Sequence, residues 1–199
     1  LEPGLPLRFE TLKEKYGASF STLREALTAL VAEGLVVSEG QRGFRVSPAS
    51  RSDLVDLTNS RVLIERELLK LAIAKGGDDW EIATTAALHR MSILVQRHGS
   101  KFYLHDDYRT AHQQFHEALV SASGSAILLA VRANLYARAE RYRSLSAIFR
   151  KHKRNKIDEH KAILDAAIAR KSEKAQDLIE HHIRATTSNV LENAGELLT

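Results

Sequence analysis

The sequence contains no cysteine among its 199 residues, which excludes disulfide bonds, thiolate metal ligands and a cysteine nucleophile. Only three prolines and ten glycines interrupt the chain, which leaves room for long helices. No apolar run approaches the roughly 20 residues needed to cross a bilayer, and no secretory signal is visible. We therefore expect a protein without a membrane segment, and the lack of cysteine favours the cytoplasm.

The net charge of +4 is distributed unevenly. Residues 1–50 carry six basic and six acidic side chains, so the whole positive excess lies in residues 51–199. Net charge therefore does not by itself indicate that the N-terminal part binds nucleic acid. The sequence starts at Leu1 and its one methionine is Met91, so we expect the natural chain to begin further upstream.

Residues 1–34 show the pattern of two short helices. Leu7, Phe9, Leu12 and Tyr16 fit an amphipathic helix that ends at Gly17. Ser19 and Ser21 are good N-cap residues for a second helix, whose apolar positions recur at helical spacing as far as Gly34. Two helices joined by so short a turn predict a helix-turn-helix.

The pattern changes after Gly34 to that of a β-hairpin. Residues 35–38 and 44–46 read as two short strands, and residues 39–43 contain the two glycines of the turn between them. A hairpin in this place is a wing. We therefore predict that residues 1–48 form a winged helix-turn-helix domain.

Residues 48–52 are a polar break before a wholly helical remainder. Helical periodicity predicts six helices, which make residues 49–199 an all-α bundle and the fold class mostly α. The predicted helices are about 52–75, 79–98, 104–122, 125–149, 153–170 and 172–196.

The second helix of a helix-turn-helix enters the major groove of DNA with its N-terminal part, where polar side chains reach base edges and phosphates. The DNA-binding candidates are Ser19, Ser21, Thr22 and Arg24 on the helix, with Gln41 and Arg42 at the tip of the wing. Two alternatives stay open from spacing alone, because a helix-turn-helix also serves as a packing motif and Arg24 could pair with a nearby carboxylate.

Histidines form the second candidate site. His112 and His116 stand four residues apart, which places both rings on one helical face, and His160 and His182 lie on later amphipathic helices. Four imidazoles converging inside the bundle would hold a divalent transition metal, although most such pairs are surface or core residues. The other five histidines fit solvent-facing or capping positions: His89, His98, His105, His152 and His181.

Catalysis by such a metal is a weaker interpretation than sensing. A zinc hydrolase needs a glutamate base directly after the first histidine, and this chain has Gln113 there, an amide that cannot take a proton. A metal with an arginine nearby would instead attract a small carboxylate. A metal-dependent hydrolase with an accessory winged domain, and a protein-interaction module, are kept as alternatives.

Specific strings of residues point to a known family. The segment 19–35, with LREAL at 23–27 and EGL at 33–35, and then RGFRV at 42–46, resembles the GntR family of bacterial regulators. The second half resembles the FCD-type effector domain of its FadR-like branch, through RVLIE at 61–65, QFH at 114–116, SASGS at 121–125, EHKAIL at 159–164 and HHI at 181–183. Within that branch, HQQFH at 112–116 and RYR at 141–143 look most like carbon-starvation (CsiR-like) regulators.

The resemblance implies a homodimeric repressor that binds double-stranded operator DNA, with activation left open. It implies a metal bound by His112, His116, His160 and His182, where an all-imidazole set favours zinc or nickel but could also bind metal poorly. It further implies a small carboxylate or dicarboxylate effector such as glutarate, reached by Arg61 and Arg143. For each arginine a helix-helix salt bridge, to Glu65 or another acid, is the alternative.

The chain departs from the family pattern at three places. Phe20 and Glu10 stand where the family commonly has basic residues, so we expect operator binding with a different sequence preference. His112 stands where the family more often has Asp or Asn. The resemblance also implies a further helix before Leu1.

Overall fold

The computed structural model describes residues 3–148, 156–195 and 198, with the backbone alone at residues 41, 145–148 and 156. The N-terminal unit is a small helix-and-sheet domain. Helices α1 (Phe9–Tyr16) and α2 (Phe20–Ala32) lie between strand β1 (Pro6–Leu7) and the hairpin of β2 (Val36–Ser38) and β3 (Phe44–Val46). The three strands form an antiparallel sheet in the order β1-β3-β2.

Local chemistry sets the ends of the two N-terminal helices. Gly17 ends α1 in the left-handed region at φ 64°, a conformation that glycine adopts without a Cβ clash. Ser19 begins α2, and its Oγ accepts a hydrogen bond from the Thr22 backbone N–H at 3.2 Å. The predicted helix-turn-helix and wing are therefore both present.

One residue of the predicted first helix lies elsewhere. Leu7 was expected on the apolar face of α1, and this is wrong, because Leu7 pairs with Phe44 in the sheet. It is buried in a small core with Leu27, Val36 and Val46. Pro6, which has no backbone N–H to donate, precedes it on an edge strand, a position where proline is tolerated.

Helices make up the remainder of the described chain. They are α3 (Arg51–Lys75), α4 (Asp78–His98), α5 (Asp106–Val120), α6 (Ala126–Ile148), α7 (Lys156–Ile168) and α8 (Ser172–Ala194). Where the predicted ends fall among the described residues, the bounds differ by no more than two residues. The predicted ends at 149, 153 and 196 lie outside the described residues. Short 3-10 turns over Gly99–Leu104 and Ser121–Ser123 account for the shorter α5. Among the described residues, none of the helices combines the length and hydropathy required to span a bilayer.

Helix α3 is the centre of the bundle. Its buried positions recur every three or four residues, from Leu54 to Ile73, as expected for a helix that packs on several sides. It packs against α5, α6, α7 and α8. The main core beside it includes the fully buried side chains of Leu68, Met91 and Phe115. This packing brings the inner faces of α5, α7 and α8 together.

Candidate metal centre and DNA-binding face

Four histidines meet inside the bundle. His112 and His116 lie on consecutive turns of α5, His160 lies on α7 and His182 lies on α8. All four are buried, and His160 has no exposed surface. The helical face that carries the first pair also carries Phe115 and Leu119 of the core, which is why the imidazoles point inward.

The rings approach closely enough to share one ion. One candidate ligand atom from each ring can be chosen so that all four lie within 4.8 Å of one another. The Nε2 atoms of His116 and His160 are 3.2 Å apart. The ring centroids of His160 and His182 are separated by 4.5 Å, and those of His112 and His116 by 4.6 Å. The structure therefore brings together all four residues expected from the sequence.

Two of the rings are oriented by partners on their outer side. His182 Nδ1 lies 2.8 Å from Glu159 Oε2, and His112 Nδ1 lies 3.1 Å from the Tyr136 hydroxyl. A carboxylate on the far nitrogen of a histidine fixes the tautomer and raises the basicity of the nitrogen that faces inward. Glu159 is thus placed to orient the His182 ring, a role that the sequence pattern did not indicate.

The electrostatics favour a neutral imidazole at His116. Burial, followed by the neighbouring charges of His112, His160 and His182, lowers the pKa of His116 well below its usual value. A neutral imidazole has a lone pair to give to a metal, and nitrogen donors suit zinc, copper and nickel. The donor set and its spacing therefore fit a divalent transition metal.

Three arginines lie around Tyr136, the residue whose hydroxyl contacts His112. The guanidinium carbons of Arg61, Arg132 and Arg143 lie 5.7, 5.4 and 4.1 Å from the centre of the Tyr136 ring. Burial, and then the positive charge of Arg143, lower the pKa of Arg61 to about 10. Burial raises the pKa of Tyr136, which keeps its hydroxyl protonated. This region therefore holds an excess of buried positive charge.

The carboxylates of the region do not satisfy every guanidinium. Glu65 Oε2 accepts from Arg132 Nε at 3.0 Å, and both side chains are almost wholly buried. Arg61 Nη2 lies 3.8 Å from Glu65 Oε1, which is longer than a hydrogen bond. Within the described part of the chain, Arg61 Nε and Arg132 Nη2 are buried without a hydrogen-bond partner. Unpaired buried donors are costly, so this is a place where an anion would be stabilised.

The two arginines expected to face an effector both lie close to Tyr136. Arg143 ion-pairs with Glu140 at 2.5 Å and also lines a small cavity of about 50 Å³ beside the histidines. Arg61 and Arg143 together line a smaller space between α3, α6 and α8. The 50 Å³ cavity is lined by Tyr103, Tyr108, Arg109, His112, Glu140, Arg143 and Ser144.

The remaining histidines lie outside this cluster. His89, His105 and His181 are exposed, and His152 lies outside the described residues. His98, at the end of α4, is partly buried and lies 2.9 Å from Asp107 in the first turn of α5. His98, His105 and Asp107 could also group around an ion. However, the two imidazoles stack in parallel at 3.7 Å, so their lone pairs do not converge.

Gln113 does not take part in the histidine cluster. Its side chain is exposed and donates a hydrogen bond to Glu117 at 2.8 Å, along the outer face of α5. The position that would hold the base of a zinc hydrolase therefore faces away from the four imidazoles.

The DNA-binding candidates on α2 are all on the surface. Ser19, Ser21, Thr22 and Arg24 are exposed, and the three hydroxyl groups are linked at 2.9 Å through Ser19 Oγ. Arg42 is exposed at the wing tip, whereas the side chain of Gln41 lies outside the description. Arg45 pairs with Glu39 across the hairpin at 3.0 Å, which stabilises the base of the wing.

Helix α6 joins the histidine region to the winged domain. Arg132, Tyr136 and Arg143 lie on its histidine side. Arg141 of α6 reaches the N-terminal unit, where its Nη1 donates to the Ser47 carbonyl at 2.9 Å. Arg138 Nη2 donates to Asp53 Oδ1, in the first turn of α3, at 2.8 Å. One helix therefore contacts both regions.

Arg132 and Tyr136 were missed in the sequence. They are four residues apart on α6, with Glu140 four further on, so the spacing showed that they share a face. The local pattern does not say which neighbouring helix that face meets.

The chain matches two protein families. Residues 1–46 match the gntR family of bacterial regulatory proteins, and residues 56–185 match the FCD domain. It is 39% identical to the HTH-type transcriptional regulator BphR of Paraburkholderia xenovorans (strain LB400), over 96% of this chain and 78% of that protein. It is 36% identical to the HTH-type transcriptional repressor GlaR of Escherichia coli (strain K12), over 92% of this chain and 84% of that protein.

Solved structures show the same architecture. The E. coli protein McbR/YncC superposes with a TM-score of 0.80 and 19% identity, over 98% of this chain and 90% of the other. A GntR regulator from Rhodococcus sp. RHA1 superposes with a TM-score of 0.74 and 21% identity, over 96% and 89%. At these identities the likeness concerns the fold alone.

Proposed function

The chain belongs to the GntR family of DNA-binding transcription regulators and carries an FCD domain, and from this premise we propose that a small carboxylate controls the affinity of the protein for operator DNA. The carboxylate binds at a metal that is held by histidines. The relatives of the chain are regulators and not enzymes, which removes the hydrolase alternative. The observation that carries the proposal is the buried cluster of four histidines beside an excess of buried guanidinium groups.

Operator DNA is bound by α2 and the wing. Arg24 contacts a guanine edge or a phosphate, while Ser19, Ser21 and Thr22 contact phosphates or bases in the major groove. Gln41 and Arg42 reach the sugar-phosphate backbone or the minor groove. The exposure of the α2 side chains and of Arg42 supports this assignment.

The metal is held by His112, His116, His160 and His182, and we propose zinc, with nickel as the alternative. Four neutral imidazoles suit either ion, and they leave its full double charge in place to attract an anion. The contact of Glu159 with His182 supports this role, because carboxylates commonly orient metal-bound histidines.

The effector is a short dicarboxylate of the glutarate type. The cavity beside His112 is lined by Arg143, so one carboxylate can approach the histidine site while the other meets a guanidinium. The unpartnered Arg61 Nε and Arg132 Nη2, both near Tyr136, support a further anion contact there.

Control passes through α6. A ligand acts at a distance only if it binds one arrangement of the protein better than another. The α6 residues that face the histidines share a helix with Arg138, which bonds the start of α3, and with Arg141, which bonds the winged domain. A displacement of α6 toward a bound anion therefore moves the contacts that orient the winged domain.

The active form is a homodimeric repressor in the cytoplasm that binds a palindromic operator. GlaR, a relative at 36% identity, is named a repressor. Large apolar side chains exposed on the helices, including Leu63 and Ile127, support an interface with a second copy.

The test is binding of fluorescent DNA from the region upstream of its own gene, followed by anisotropy. The metal-loaded protein is titrated with succinate, glutarate and adipate, with the chelator-treated protein in parallel. We expect at least one of the three to raise Kd by about 5- to 150-fold, the usual range of allosteric coupling, and only in the metal-loaded protein.

An unchanged Kd with all three acids would overturn the proposed effector, and an equal response after chelation would overturn the role of the metal. A fall in Kd would retain effector control but overturn the assignment as a repressor that the effector releases.

A further inference from the structure

A large apolar ring stands at the start of the DNA-reading helix. Phe20 is the first residue of α2, and 56% of its surface is exposed. Its neighbours Ser19, Ser21 and Thr22 form a patch of hydroxyl groups linked at 2.9 Å. A phenyl ring in such a polar setting exposes apolar surface that water solvates poorly, so covering it is favourable.

The ring of Phe20 is held in place by other aromatic side chains. Its centroid lies 4.3 Å from that of Phe9 on α1, and the rings are tilted by 33°. Phe9 in turn meets the edge of Phe44 on strand β3, at 6.1 Å. Contacts of this kind favour defined ring positions, so the exposed edge of Phe20 is presented in a fixed place.

A phenyl ring cannot read the hydrogen-bonding groups of a base pair. The apolar group that B-DNA presents in the major groove is the 5-methyl of thymine, and apolar side chains, phenylalanine included, contact it. We propose that Phe20 selects thymine in each operator half-site by contact with its 5-methyl group. This inference rests on the proposed entry of α2 into the major groove.

Arg24 and Phe20 make different contributions to DNA binding. Arg24 is exposed one turn along α2 from Phe20 and supplies the charge that binds phosphate or guanine. Phe20 adds no charge, so its contribution depends on the base and not on the backbone. The proposed division is that Arg24 carries affinity and Phe20 carries the preference for thymine.

The experiment begins with in-vitro selection from a library of randomised duplexes, using the intact wild-type chain, Phe20→Ala and Phe20→Arg. In the site that the wild type selects, each conserved thymine is then replaced singly by deoxyuridine, which removes only the methyl group. Binding is measured by anisotropy at one fixed salt concentration. Ile82→Ala, which truncates another exposed apolar side chain on α4, is the matched control.

We expect one thymine in each half-site whose replacement weakens wild-type binding by about 3- to 10-fold, the range for losing an apolar contact of one methyl group or slightly more. Phe20→Ala should bind the thymine and deoxyuridine duplexes equally, and Phe20→Arg should select guanine there. Ile82→Ala should behave like the wild type.

Equal binding of all deoxyuridine duplexes by the wild type would overturn the inference while leaving α2 as the reading helix. A Phe20→Ala variant that loses affinity for every duplex by the same factor would also overturn it. The ring would then serve to pack against Phe9 and not to select a base. Failure of the wild type to select any sequence, with Arg24→Ala unchanged, would overturn the proposed use of α2 and the inference with it.

Discussion

The hydroxyl of Tyr142 on α6 donates a 2.6 Å hydrogen bond to Asp53 Oδ2 in the first turn of α3, directly after the linker to the winged domain. Tyr142 is almost wholly buried, and its oxygen also lies 3.3 Å from both the backbone N–H and the carbonyl of Ser50. Burial, and then the bond to Asp53, raise the pKa of Tyr142. One phenol therefore fixes the linker, α3 and α6 together.

Replacement of Tyr142 by phenylalanine should destabilise this junction. The change leaves Asp53 with one fewer donor and removes a bond to a charged acceptor, so we expect the free energy of unfolding to fall by about 1–3 kcal/mol. Urea denaturation followed by circular dichroism measures it. Tyr16→Phe is the control, because Tyr16 is 61% exposed and should change stability little. Equal stability of the two variants would show that the Asp53 bond contributes nothing net.

His116→Ala should abolish metal binding. Removing one of four ligands, and the ring that faces His160, leaves an incomplete site. Elemental analysis of protein purified without a histidine tag should find about one zinc or nickel ion per chain in the wild type and almost none in the variant. His181→Ala, one residue from a proposed ligand but exposed on α8, should retain the metal. Similar metal content in both variants would place the ion elsewhere.

Arg143→Met should separate effector binding from metal binding. The change keeps a long side chain but removes the charge that lines the cavity beside His112. We expect the metal content to stay unchanged and the Kd for glutarate, measured by calorimetry, to rise by about tenfold or more, since a charge-assisted bond contributes about 1.5–3 kcal/mol. Arg109→Met, at an exposed residue of the same cavity, is the control. Unchanged glutarate affinity in Arg143→Met would remove this residue from the effector site.

Arg24→Ala should weaken DNA binding and reduce its dependence on salt. If Arg24 contacts a phosphate, the slope of log K against log salt should fall by about one, and affinity should fall for all sequences. If it contacts guanine, the loss should concentrate on duplexes carrying that base, at about 1–3 kcal/mol. Arg90→Ala removes an exposed arginine of α4 and controls for net charge. Identical binding by the Arg24 and Arg90 variants would contradict the proposed role of α2.

The buried pair of Glu65 and Arg132 should be costly to break. Arg132→Met leaves the Glu65 carboxylate buried with only the more distant Arg61, so we expect a loss of about 3–5 kcal/mol in the free energy of unfolding. The double variant Glu65→Met/Arg132→Met should recover much of it, because both charges are gone. Arg184→Ala breaks the exposed pair with Glu180 and should cost about 1 kcal/mol or less. Denaturation in urea compares all three variants.

Local patterns were sufficient for most of the fold. Gly17 and Ser19 mark the turn between α1 and α2 because each has a conformational or capping preference that acts within a few residues. Strand β1 escaped prediction because its two residues are defined by pairing with β3, far along the chain, and have no periodicity of their own. Leu7 was therefore assigned to the helix that follows it.

The candidate site was predictable only in part. The spacing of His112 and His116 puts both on one face of α5, His160 and His182 were candidates because they lie on later amphipathic helices, and the resemblance to the family implied the same four ligands. The role of Glu159 and of Tyr136 depends on how α7 and α6 pack beside those rings, which no local pattern describes. Residues whose importance comes from a tertiary neighbour are the ones that sequence analysis missed.

The four histidines have a further consequence for a chain that has no cysteine. They come from α5, α7 and α8, between residue 112 and residue 182, so an ion held by all four would tie three separate helices at one point. It would act as a reversible cross-link among residues that include no cysteine. Chelation would then remove the cross-link between the three helices as well as the metal at which the effector binds. The supply of metal in the cell would govern the rigidity of the bundle.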